Sequence, residues 1–96
     1  MKLLTLHHAV KTVTGIDIHN KSRKDEVVLA KKLFIFFARD NLELIHKDIA
    51  EYINLDESTI RHHIKDACFL INHYKEIRVK HDKIKYVYSK MIDNLN

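Results

Sequence analysis

The sequence predicts an all-α domain, a small bundle of about five helices. Three observations carry that expectation. The 96 residues include no proline and one glycine, Gly15, whereas hairpin-rich sheets, dinucleotide-binding βαβ units and phosphate-cradling loops all call for glycine. Apolar residues recur at spacings of three and four along most of the chain, which is the period of an amphipathic helix. With 46% hydrophobic and 31% charged residues, the composition is that of a folded, soluble chain of one domain.

The elements follow in order. Leu3, Leu6, Ala9, Val10 and Val13 define one face of a first helix over 2–13, and Gly15 supplies the left-handed backbone of its C-terminal cap. Residues 17–21 make a turn. Ser22 reads as the N-cap of a second helix over about 23–39, with Asp25 and Glu26 complementing the free amides of its first turn. Val27 to Ala30 and Leu33 to Ala38 are apolar nearly all round, so this helix is central and its phenylalanines are core. Asn41-Leu42 breaks the pattern. A short third helix over about 45–53 presents Ile45, Ile49, Tyr52 and Ile53 on one side.

Asn54-Leu55 is a tight turn, and Asp56 is a strong N-cap for a fourth helix. Its core stripe reads Ile60, Ile64, Ala67, Cys68 and Ile71. Ser58, Thr59, Arg61, His62, Lys65 and Asp66 fall on the exposed arc. The tail allows two readings. Ile77, Val79, Ile84, Tyr86 and Tyr88 alternate, which suits a hairpin about 81–83 and would make the fold a winged helix. Ile84, Val87, Tyr88, Met91, Ile92 and Leu95 suit a helix capped by Asp82, and this reading uses more of the apolar residues.

Charge is segregated along the chain. Seventeen basic residues face 13 acidic ones, for a net +4. Residues 21–39 and 75–90 each carry a net +4, while 40–57 carries −5. That balance permits nucleic acid as a partner without demanding it. No apolar run is long enough to span a bilayer, and the first residues lack the apolar length of a signal peptide. The single cysteine, Cys68, excludes an internal disulfide and fits a reducing, cytoplasmic setting.

A short helix, a tight turn and a longer helix opening on small polar and basic groups is the helix-turn-helix layout, whose second helix enters the major groove of duplex DNA. Ser58 and Thr59 can donate to phosphate or bases, Glu57 can accept from cytosine, and Arg61 can pair bidentately with guanine.

These stretches resemble a family. Lys21-Ser22-Arg23-Lys24, Glu26-Val27-Val28-Leu29-Ala30-Lys31 and Ala38-Arg39 are similar to the C-terminal DNA-binding domain (domain IV) of the bacterial replication initiator DnaA. So, most tellingly, are Asp48 to Ile53 and Asp56 to His62. The resemblance covers nearly the whole chain from Val10 onward. It implies a Trp-repressor-like helical bundle, a helical tail, and a stand-alone domain without the family's nucleotide-binding motor. No nucleotide, cofactor or membrane is implied. It places Arg23 in the minor groove and Lys31, Lys32 and Arg39 on phosphates and neighbouring bases. Asp56, Ser58, Thr59, Arg61 and His62 fall on the stretch that reads the major groove. With Lys24, Glu57 and Lys65 these residues make up the expected DNA-contacting set. The chain departs from the family at Glu57, where the family has histidine, and at Leu55, where it has a basic residue. The Asn54–Asp56 turn is one residue short, and His63 stands at an alanine-like position.

Two functions are therefore expected. One is sequence-specific binding of double-stranded DNA by a small replication-related or transcriptional regulator. The alternative is a protein-interaction module, acting with a partner or as a homodimer, that kept the fold and lost the DNA box. Catalysis is not expected: Cys68 falls on the core stripe, and Ser58 and Ser89 have no assignable base. Nor is a metal site, since His7-His8 and His62-His63 diverge on a helix and His62 with Asp66 supplies only two ligands.

Overall fold

In the computed structural model, which describes residues 2–95, the chain forms five helices: α1 (Lys2–Thr14), α2 (Asp25–Asp40), α3 (His46–Ile53), α4 (Glu57–His73) and α5 (Lys75–Leu95). No strand occurs among the described residues, so the all-α expectation holds. The radius of gyration is 12.2 Å, against about 12.5 Å for a single packed domain of this length.

Local chemistry explains most boundaries. Gly15 ends α1 with φ +74°, and its N–H donates to the Lys11 carbonyl at 2.8 Å. A Cβ there would meet nothing within 4 Å, so glycine is required by the backbone angle and not by space. At α3 the chain reverses through Asn54, held at φ 60° and ψ 49°. Asparagine is among the few side chains that tolerate this left-handed conformation. Asp56 then caps α4 as expected, its Oδ1 accepting from the Thr59 N–H and the Ser58 hydroxyl, both at 2.7 Å.

Helix α2 is the centre of the bundle and packs against each of the other four helices. Seven of its side chains are buried, among them Leu33, Phe34, Ile35 and Phe37. All but Val27 join Leu6, Ala9 and Val10 of α1, Ile49 and Ile53 of α3, Ile60 and Ile71 of α4, and Ile84 and Tyr88 of α5 in one core. Each large side chain so enclosed contributes about 1.5–3 kcal/mol. α3 rests on both α2 and α4, so the pair α3–α4 is braced by the central helix.

Four sequence expectations are corrected. Ser22 does not cap α2: the N-cap is Lys24, with no side-chain hydrogen bond, and the helix starts at Asp25. The Ser22 hydroxyl instead accepts from the Lys24 N–H at 3.2 Å, closing a local turn that competes with the cap. Cys68 is exposed, because the stripe Ile60, Ile64, Ala67, Ile71 already fills the helix–helix contact and position 68 lies at its edge. The tail is neither a hairpin nor a helix begun at Asp82. α4 is interrupted only at Tyr74, whose extended backbone (φ −125°, ψ 114°) turns the chain, and α5 runs unbroken from Lys75 through Asp82. Ile77, His81, Ile84, Tyr88 and Met91 are thereby placed on one face at spacings of three and four. Leu95, expected on that face, is 70% exposed. No helix among the described residues is long and apolar enough to cross a membrane.

Candidate functional site

The segment 16–24, α2 and the α3–α4 turn enclose an open groove of about 510 Å³. Lys21, Ser22 and Arg23 line it from the segment, Lys31 from α2, Asn54 and Leu55 from the turn, and His63 from α4. Its apolar floor is Ile18, Val28 and Ile53, two of them fully or nearly buried, so the cationic side chains stand over packed hydrocarbon. Next to it, Ser58, Thr59, His62 and His63 line a second depression of about 290 Å³. His63 belongs to both. The start of α4 and the basic segment therefore share one surface.

The polarity of that surface is set by a few contacts. The Thr59 backbone N–H, assisted by the Ser58 hydroxyl, holds the Asp56 carboxyl below its ordinary value, so the cap is ionised at neutral pH. Burial, reinforced by the Lys32 ammonium, pushes the His63 imidazole down, and its Nδ1 is buried without a hydrogen-bond partner. The charged form of the ring is thereby disfavoured. Lys32 Nζ lies 3.4 Å from Asp66 Oδ2, pairing α2 with α4 at the rim.

Asp56 and Thr59 are joined in the α4 cap, and the other sequence-predicted residues divide into three groups. Arg23 and Lys31 come together in the groove with Lys21, and Lys32 adjoins them through Asp66 and His63. Ser58, Arg61, His62 and Lys65 share the solvent-facing arc of α4 at spacings of three and four, with Glu57 exposed at its start. Lys24 is exposed at the N-cap of α2, and Arg39 reaches into the α2–α3 connection. The Lys24 carbonyl accepts from the Val27 and Val28 N–H groups at 3.0 Å, and Arg39 Nη1 donates to the Leu44 carbonyl at 3.2 Å. Arg23 and Lys31 line the groove, Arg61 and Lys65 lie on the adjoining arc, and Arg39 braces the α2–α3 connection.

Sequence reasoning missed two features. His63, read only as a departure from a family pattern, links the groove to the start of α4. His7, Asp17 and His19 follow no local spacing rule, yet each places one ligand atom within 4.8 Å of the other two. No adjacent-pair or i,i+4 rule finds them, because the turn after Gly15 brings them together. No family model matches the chain, and neither does any curated protein or solved structure.

Proposed function

We propose that the chain binds double-stranded DNA through α3 and α4 as a helix-turn-helix, in the manner of a small sequence-specific regulator of replication or transcription. The observation that carries the reading is the continuity of the Asp56-capped start of α4 with the Lys21–Arg23–Lys31 groove. In the proposed complex Ser58, Thr59, Arg61 and His62 meet base edges in the major groove, while Lys31 and Lys65 meet phosphates. Arg23, carried on an exposed segment, reaches the neighbouring minor groove. The resemblance to DnaA domain IV supports the same roles, and Glu57 implies a site different from that family's box. The reaction class is binding alone.

A second reading rests on one observation. Glu57 and Asp66 put carboxylates on the arc that would face phosphates, which suits an interaction module better than a nucleic-acid reader. Selection from a pool of random duplexes at two salt concentrations separates the readings. The DNA reading predicts an enriched motif whose affinity falls steeply with salt. Failure to enrich any motif, with no salt-dependent retention of the pool, favours the interaction module.

A further inference from the structure

We propose that His7, Asp17 and His19 form a binding site for a first-row divalent cation of the zinc class, clasping α1, the 15–24 segment and α3. His19 and Tyr52 also line the Lys21–Arg23–Lys31 groove, but the inference does not rest on the DNA reading and needs no duplex for its test.

Two imidazoles and one carboxylate are the ligand types such cations prefer, and three protein ligands leave a fourth position for water. In a tetrahedral site with bonds of about 2.0–2.1 Å, ligand atoms lie about 3.3 Å apart. Here His7 Nε2 and Asp17 Oδ1 are 2.9 Å apart, and one ligand atom of each residue lies within 4.8 Å of the others. The His7 and His19 rings already meet edge to face, with centroids 4.8 Å apart.

The second nitrogens of both rings supply an independent reason. Metal-bound histidines almost always donate the other ring N–H to a fixed acceptor, which sets the tautomer. Tyr52 offers both acceptors. Its carbonyl is 2.9 Å from His19 Nε2, which leaves His19 Nδ1 with the free lone pair. Its hydroxyl is 2.9 Å from His7 Nδ1. Without a cation, His7 Nε2–H donates to Asp17 and Nδ1 accepts from the Tyr52 hydroxyl. When a cation takes Nε2, the proton resides on Nδ1 and the same hydroxyl accepts it, so no partner is lost. The Asp17 carboxylate is itself fixed, because Oδ1 accepts the His19 backbone N–H at 2.9 Å. His19 is exposed and Asp17 half-exposed, so a cation enters from solvent.

The clasp would fix the segment that carries Lys21 and Arg23. The test is calorimetric titration of the full chain, stripped with EDTA, with zinc chloride, together with the visible spectrum of the cobalt(II) form. One cation per chain is expected, with a tetrahedral cobalt spectrum and a raised unfolding temperature. His19→Ala and Asp17→Asn, at solvent-accessible positions, should each weaken binding more than about 100-fold while leaving the helical circular dichroism unchanged. Tyr52→Phe should weaken it about tenfold, the size of effect usual for an outer partner. His8→Ala should leave zinc binding unchanged. Absence of one-to-one binding at micromolar zinc overturns the proposal. So does binding that survives in folded His19→Ala and Asp17→Asn, or that is lost in His8→Ala instead.

Discussion

The Lys32 ammonium stands 3.4 Å from the Asp66 carboxylate, so one of the two adjacent lysines of α2 is already partnered from α4. Lys31, which lines the groove, has no ion pair among the described residues. The two should therefore behave differently on DNA. Lys31→Ala is expected to weaken all sequences alike and to lower the salt slope by about one unit, the loss of one phosphate contact. Lys32→Ala should have a smaller effect, and Asp66→Asn should raise affinity by freeing Lys32. Equal slopes for the two lysine variants would show that the ion pair does not persist in the complex.

On the proposed DNA reading, Glu57 sets which duplex is read. It is exposed in the first turn of α4, where the resembled family carries an imidazole donor. A good base contact is worth about 1–3 kcal/mol of discrimination. Glu57→His is predicted to gain binding to a DnaA box, and Glu57→Gln, which removes the charge alone, to gain equally on boxed and scrambled duplexes. Anisotropy titrations of both variants on both duplexes check this. Equal gains by the two variants would reduce Glu57 to an electrostatic brake.

The core prediction concerns Phe34, which is fully buried, and Phe37, which is 2% exposed. Phe34 stacks on the Tyr52 ring at 5.8 Å, and Phe37 meets the Tyr88 ring at 5.2 Å. Truncation of either to alanine should cost about 3–5 kcal/mol in denaturant unfolding. Losses below about 1 kcal/mol at both positions would mean that α2 is not the centre of the bundle.

A pH dependence follows from His81. Its ring lies 5.5 Å from Phe36 and 6.1 Å from Phe37, its Nδ1 is buried without a partner, and burial pushes its pKa below the ordinary 6.5. Asp82 and Asp40 oppose that shift and Lys85 adds to it. The unfolded chain takes up a proton near pH 6.5 while the folded ring resists it. The contribution to stability is thus intact above that pH and is lost as pH falls below it. His63 acts with the same sign. The unfolding temperature should drop between pH 7.5 and 5.5, and His81→Leu should flatten that slope. An unchanged slope in His81→Leu would assign the dependence to other groups.

Much of this architecture is legible in the sequence, for identifiable reasons. The apolar period of residues 27–38 is dense enough to announce a buried helix, and Asp56 with Ser58 and Thr59 carries a capping chemistry that needs no tertiary context. Ser22 misleads because the same hydroxyl chemistry closes a local turn as readily as it caps a helix. The break at Tyr74 is invisible, since one residue in extended conformation needs neither proline nor glycine. Arg23 and Lys31 are identifiable as basic residues, but their meeting over Val28 and Ile53 depends on how the 16–24 segment packs. The His7–Asp17–His19 cluster depends on the same packing.

The central claim is that the groove and the start of α4 form one DNA-binding surface. It is tested most directly by titrating isotopically labelled protein with the selected duplex and mapping amide shifts. The predicted changes fall on Lys21, Arg23, Lys31, Ser58, Thr59 and His62, and they weaken as salt is raised. Changes concentrated on the exposed α5 residues Val79 and Tyr86, or an unaltered spectrum at saturating low-salt duplex, would contradict it.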